Sequence, residues 1–118
     1  MDKAQAEIAR RQIGVFGLGY VGAHELRFAQ VAVNEKDQTV PCQGLLFKVN
    51  GPSHGPMWQM LVTLDGDTYT VRLLKHGRDE TWIVLDSAND VYNDKLREVI
   101  AEMYDAAIRE RNQGEIPI

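Results

Sequence analysis

The sequence predicts an α+β domain, and three observations carry that reading. The chain opens with a segment rich in Ala, Gln, Glu and Arg that contains no proline. Its middle holds apolar residues at alternating positions between tight-turn signals, and it closes with apolar residues at helical spacing. A sheet with one apolar face and a helix with one apolar stripe bury each other. The expected architecture is therefore an N-terminal helix, an antiparallel meander of about four strands, and a long C-terminal helix packed across one sheet face. With 118 residues, a single domain over 1–118 is the natural size, and such a chain buries roughly two-thirds of its unfolded surface.

The opening "DKAQAEIARRQI" favours helix because nothing before Gly14 breaks it. Ala4, Ile8 and Arg11 share one stripe, only weakly apolar, and the glycines that follow must end or interrupt the helix. "HELRFAQVAVNE" is ambiguous: Leu26 and Phe28 alternate with polar neighbours, while Val31 and Val33 keep the period but switch face. "NEKDQTVPCQG", polar and carrying Pro41 and Gly44, reads as a loop.

Four strand signals come next. "LLFKV" places Leu45, Phe47 and Val49 on one face, and "NGPSHGP" then punctuates the chain as a loop. "MWQMLVTL" alternates through Trp58, Met60, Val62 and Leu64. Asp65-Gly66 suits a two-residue hairpin turn whose central positions need positive φ. "DTYTVRLL" returns through Tyr69, Val71 and Leu73, "KHGRD" turns around Gly77, and "ETWIVLD" forms the last strand. Asn89 or Asp90 can cap the final helix, whose apolar face collects Tyr92, Leu96, Val99, Ile100, Met103, Ala107 and Ile108. Glu98, Glu102, Asp105 and Arg109 mark its wet side. Gly114 is a stop signal, and 113–118 is expected to fray as a tail.

Composition narrows the function classes. A single cysteine, Cys42, excludes an internal disulfide and fits a reducing compartment; the polar start "MDKAQAEIARRQ" does not read as a secretory signal. No apolar run is long enough to span a membrane, so the expectation is a cytoplasmic protein without a membrane partner. The net charge of -4 gives no global attraction to nucleic acid.

"IGVFGLGYVG" holds Gly17, Gly19 and Gly22 in the G-x-G-x-x-G spacing and resembles the first phosphate-binding turn of nucleotide-sugar dehydrogenases. That motif works only between a parallel strand and a crossover helix, with an acid about 20 residues further on to hold the ribose. Gln12 to Phe16 could supply the strand, but no clean amphipathic helix follows Gly22. The acid's place reads "TVPCQG", and the later strands are joined by hairpins too short for parallel connection. No cofactor is expected. Gly17, Gly19 and Gly22 remain the cofactor-binding candidates of an alternative, nucleotide-binding reading.

Other chemistry is sparse. His24, His54 and His76 stand in loop or turn signals without the spacing of a helical metal site, and no metal ligand set is predicted. Cys42 lacks an identifiable base, and the acids of "DGDTY" are explained by a hairpin, since a calcium loop would place a carboxylate where His76 stands. Arg10, Arg11, Lys75 and Arg78 are the candidates of a nucleic-acid-binding alternative, with acids or element ends close by. Trp58, Trp82, Tyr69 and Tyr92 fit the core by spacing, and any exposed member would be a contact hot spot. A sheet face larger than one helix covers would leave a homodimer to hide the remainder.

One resemblance covers most of the chain. Gly22-Ala23, Gly44-Leu45 with Phe47, Asp67 to Val71 ("DTYTV") and Val91 to Arg97 ("VYNDKLR") follow the motif order of a group of small uncharacterised phage, prophage and plasmid proteins. This chain departs from that group by the insert "AQVAVNEKDQTVPCQ" and by extra glycines before Gly22. The resemblance implies the α-meander-α reading, makes the glycine motif strand and turn, and transfers no catalytic residue. It implies a mobile-element accessory protein that acts by binding a host or defence component. The expected function is accordingly non-enzymatic protein binding, with an unidentified protein partner.

Overall fold

A computed structural model describes residues 1–51 and 57–113. Residues 52–56 of the predicted loop, with His54, and 114–118 of the predicted tail lie outside the described residues; Gln113 ends a helix. The elements are α1 (Lys3–Tyr20), β1 (His24–Glu35), β2 (Gln38–Val49), β3 (Trp58–Asp65), β4 (Thr68–His76), β5 (Thr81–Val91), a 3-10 turn (Asn93–Lys95) and α2 (Leu96–Gln113). The fold is α+β with a helix at each end of the sheet sequence, as the patterning requires.

The sheet differs from the expected open, four-stranded meander: it is a closed barrel of five strands in the order β1-β2-β3-β4-β5. Four consecutive pairings are antiparallel, so the first and fifth strands point the same way. The ring closes through a short parallel pairing of Ala32, Val33 and Asn34 with Thr81, Trp82 and Ile83. The extra strand comes from the segment whose pattern was ambiguous and from the segment read as a loop. β1 and β2 form one long hairpin in which Glu35 pairs with Gln38, and Lys36 and Asp37 take φ of 51° and 62°, the left-handed values such a turn needs. Pro41 and Gly44 sit within β2. At Gly44 a Cβ would stand 2.2 Å from the Val62 carbonyl oxygen, so the bare backbone lets β3 come close.

β2, β3 and β4 are buried on both faces, which a single-sided alternation does not anticipate. One face fills the barrel with Val33, Cys42, Leu46, Leu61, Leu74 and Trp82. The other, bearing Leu45, Phe47, Met60, Val62, Val71 and Leu73, lies beneath both helices. Towards one end of the barrel the filling turns polar: Arg72 Nε sits 3.3 Å from Glu35 Oε2 while its Nη1 donates to Thr63 Oγ1 at 3.2 Å. No buried side-chain polar atom among the described residues lacks a partner.

The ends of the helices also depart from expectation. Asn89 and Asp90 belong to β5, where an irregular register opposite Tyr69 and Val71 and a φ of 56° at Asp90 mark a bulge. Tyr92, 63% exposed rather than core, precedes the 3-10 turn, and Leu96, Ile100 and Met103 form the buried stripe of α2. At the other terminus Asp2 accepts from the Gln5 N–H and Gln5 Oε1 accepts from the Asp2 N–H, both at 2.8 Å, a reciprocal cap.

Candidate functional site

The glycine-rich segment is neither a strand nor a phosphate-binding turn. Gly17 and Gly19 lie within α1, and Gly22 lies in the turn between α1 and β1. The helix passes over its glycines with one break, at Gly14 (φ 77°, ψ 168°), where two helical segments meet. Ala6, Ala9 and Ile13 recur every three or four positions and form the buried stripe of the first segment, and Gly17 continues the buried line in the second. Gly17 gives that stripe a notch. A Cβ there would lie 2.8 Å from Arg97 Cγ, so the absence of a side chain is what lets Arg97 of α2 cross α1.

Arg97 has a definite task in that notch. Its Nε donates to the Ile13 carbonyl at 2.9 Å, serving a carbonyl at the end of the first helical segment with a cation, the sign that a helix C-terminus favours. Further along, Tyr20 Oη lies 2.8 Å from both carboxylate oxygens of Asp105 and donates to that group. Contacts at 13 with 97 and at 20 with 105 mean that the second segment of α1 runs beside α2 in the same direction. The hydrogen bond to Asp105 pushes the Tyr20 phenol above its ordinary range; burial, then the Asp105 charge, does the same to Tyr104. Tyr104 stacks edge-on to Tyr20 with ring centroids 6.4 Å apart and donates to the Asn50 carbonyl at 2.7 Å. Asn50 is also the residue that a Cβ at Gly22 would strike, its Nδ2 only 2.1 Å away.

The break at Gly14 leaves the outer side of the second segment uncovered. Val15 is 82% and Phe16 85% exposed, and nothing lies within 4 Å of where a Gly19 Cβ would be. Phe16 precedes Tyr20 by one turn in the same segment, so both stand on one flank. Beside it, an open cleft of about 550 Å³ runs between the helices, lined by Gln12, Asn93, Asp94, Arg97, Glu98 and Ala101. A second cavity, of about 480 Å³, lies between α2 and the sheet, with Trp58, Leu73 and Leu85 among its apolar walls and Lys75, Asp86, Glu110 and Arg111 at its edge.

The remaining sequence candidates are scattered over other elements. Arg10 pairs with Glu7 on α1 and holds that carboxyl below its usual range, and Arg11 Nε reaches the same oxygen at 3.9 Å. Lys75 is in β4, and Arg78 is in the β4–β5 turn. His24 Nδ1 lies 2.8 Å from the Gly22 carbonyl oxygen, and His76 stacks on Trp82 with centroids 4.1 Å apart. Cys42 is buried in the barrel, where burial raises its thiol. Gly66 sits in the hairpin turn at φ 62°, and Asp65 Oδ2 accepts from Thr70 Oγ1, so Asp65 serves the hairpin. Among the described residues no group of three His, Cys, Asp or Glu side chains is placed to hold a metal ion.

Val15 and Phe16 are the surface that sequence reading passed over. Their signal in the sequence is two bulky apolar residues out of phase with the Ala6-Ala9-Ile13 stripe. No protein-family model, curated protein or solved structure matches the chain.

Proposed function

We propose that this chain is a non-enzymatic protein-binding module of a phage or other mobile element and that it binds through the outer face of α1. One observation carries the reading: Val15 and Phe16, at 82% and 85% exposure, stand side by side on a helix whose other face is packed and anchored. An exposed aromatic on a rigid element loses little side-chain entropy on binding and supplies a large apolar contact, which makes it a natural anchor. The likeness to small mobile-element proteins supplies the setting, in which a host or defence component is the partner.

A photo-crosslinking amino acid at position 16, followed by capture from host cells, tests this. The expected result is one discrete adduct, whose partner is retained by the unmodified protein, lost on Phe16→Asp and kept on Asp67→Lys at the distant hairpin. Capture that gives no discrete adduct, or a partner indifferent to Phe16→Asp, overturns the reading.

A further inference from the structure

We infer that two copies of this chain pair through the free edge of β1, joining their barrels into one continuous sheet. The ring closes over Ala32, Val33 and Asn34 alone, which leaves two stretches of strand with a neighbour on one side only: β1 before Ala32 and β5 after Ile83. Such edges template further strand pairing unless something blunts them.

The β5 edge is blunted. Its register slips between Leu73 and Leu74 and again between Tyr69 and Val71, Asp90 takes φ 56°, and the Asp86 carboxylate accepts the Ser87 N–H at 2.8 Å. β1 from Arg27 to Val31 carries no such device and keeps an unbroken register with β2. Its one charged side chain is committed elsewhere: Arg27 donates to Gln59 Oε1 at 3.0 Å and to the Glu25 carbonyl at 3.2 Å.

The turn between β1 and β2 decides which main-chain groups face outwards. Glu35 and Gln38 close a two-residue hairpin, so they exchange both bonds, and alternate residues back to Arg27 do the same with β2. Phe28 and Gln30 therefore turn their N–H and C=O groups to the free side, where no described residue meets them. Pro41 obeys the same alternation: it lacks an N–H and stands opposite Ala32, a position that bonds β5 rather than β2. Antiparallel pairing of two such edges about Ala29 is self-complementary. Phe28 of one copy exchanges both bonds with Gln30 of the other, Arg27 lies opposite Val31, and like charges never meet. Pairing β1 with the β5 edge of another copy would instead meet the bulges and Asp86, so the assembly is a closed pair and not an open chain of barrels. The pairing uses β1 alone and is independent of the α1 face.

Sedimentation of the full chain over a concentration series should show a reversible equilibrium between monomer and dimer. Gln30→Pro removes an outward N–H and leaves the β1–β2 bonds in place; it should weaken the dimer by about tenfold to a hundredfold, with circular dichroism unchanged. Phe16→Asp should leave the dimer as strong as before. In the unaltered chain, amide exchange followed by NMR should find Phe28 and Gln30 protected at high concentration and exchanging fast on dilution, a readout that needs no variant to fold. A chain that stays monomeric at every concentration overturns the inference, as does a dimer that folded Gln30→Pro leaves intact or whose Phe28 and Gln30 amides exchange as they do in the monomer. A dimer that Phe16→Asp disperses assigns self-association to α1 and overturns it too.

Discussion

At the scale of single residues, the junction between the helices is a fit of one absence to one presence. Gly17 has no side chain, and Arg97 uses the space to reach the Ile13 carbonyl. Gly17→Leu should destabilise the fold by about 2 kcal/mol through overpacking, and Arg97→Ala by about 1 kcal/mol through the lost charge-assisted bond. Because both changes damage the same contact, the double variant should lose less than the sum by at least about 0.5 kcal/mol, measurable by denaturant unfolding. The Tyr20–Asp105 bond gives a second residue-level expectation. Its contribution is whole below the ordinary tyrosine range and disappears as pH climbs through the raised value, since ionised Tyr20 faces a carboxylate without a proton to share. Spectroscopic titration of the phenols should show Tyr20, and to a smaller extent Tyr104, ionising at lower pH in Asp105→Asn than in the unaltered chain.

At the scale of elements, α1 shows how far local patterning reaches. Its opening was legible because no residue before Gly14 opposes helix, and α2 was legible because Leu96, Ile100 and Met103 recur with helical period and are buried. The continuation of α1 through Gly17 and Gly19 was not. Glycine disfavours helix by about 1 kcal/mol per residue, and what overrides that cost here is a contact with Arg97, some eighty positions away along the chain. The same limit hid β2: Pro41 and Gly44 are loop signals locally, and only the approach of β3 at Val62 gives Gly44 its place in a strand. The candidate site was the least legible part, because exposure of Val15 and Phe16 is set by where the break at Gly14 turns the second segment. Those two side chains hold nothing up. Phe16→Asp should therefore shift unfolding free energy by no more than about 0.5 kcal/mol, so lost binding in that variant reports on the surface rather than on the fold.

At the scale of the whole molecule, the barrel is uneven around its circumference. β3 and β4 pair over eight positions, whereas β1 and β5 meet over three, from Ala32 with Thr81 to Asn34 with Ile83. Amide hydrogen exchange followed by NMR should find the protected amides of this narrow join opening well before those of the β3–β4 ladder; equal protection would mean that the ring opens only as a unit. The anchored break in α1 has a different bearing, on any attempt to copy or compete with the binding face. Two short rods meet at Gly14 and are splinted by a guanidinium from the far terminus, so a synthetic peptide cut from the first two dozen or so residues loses its splint. Such a fragment would carry Phe16 in its sequence but not its bearing, and a mimic must bring α2 along with it.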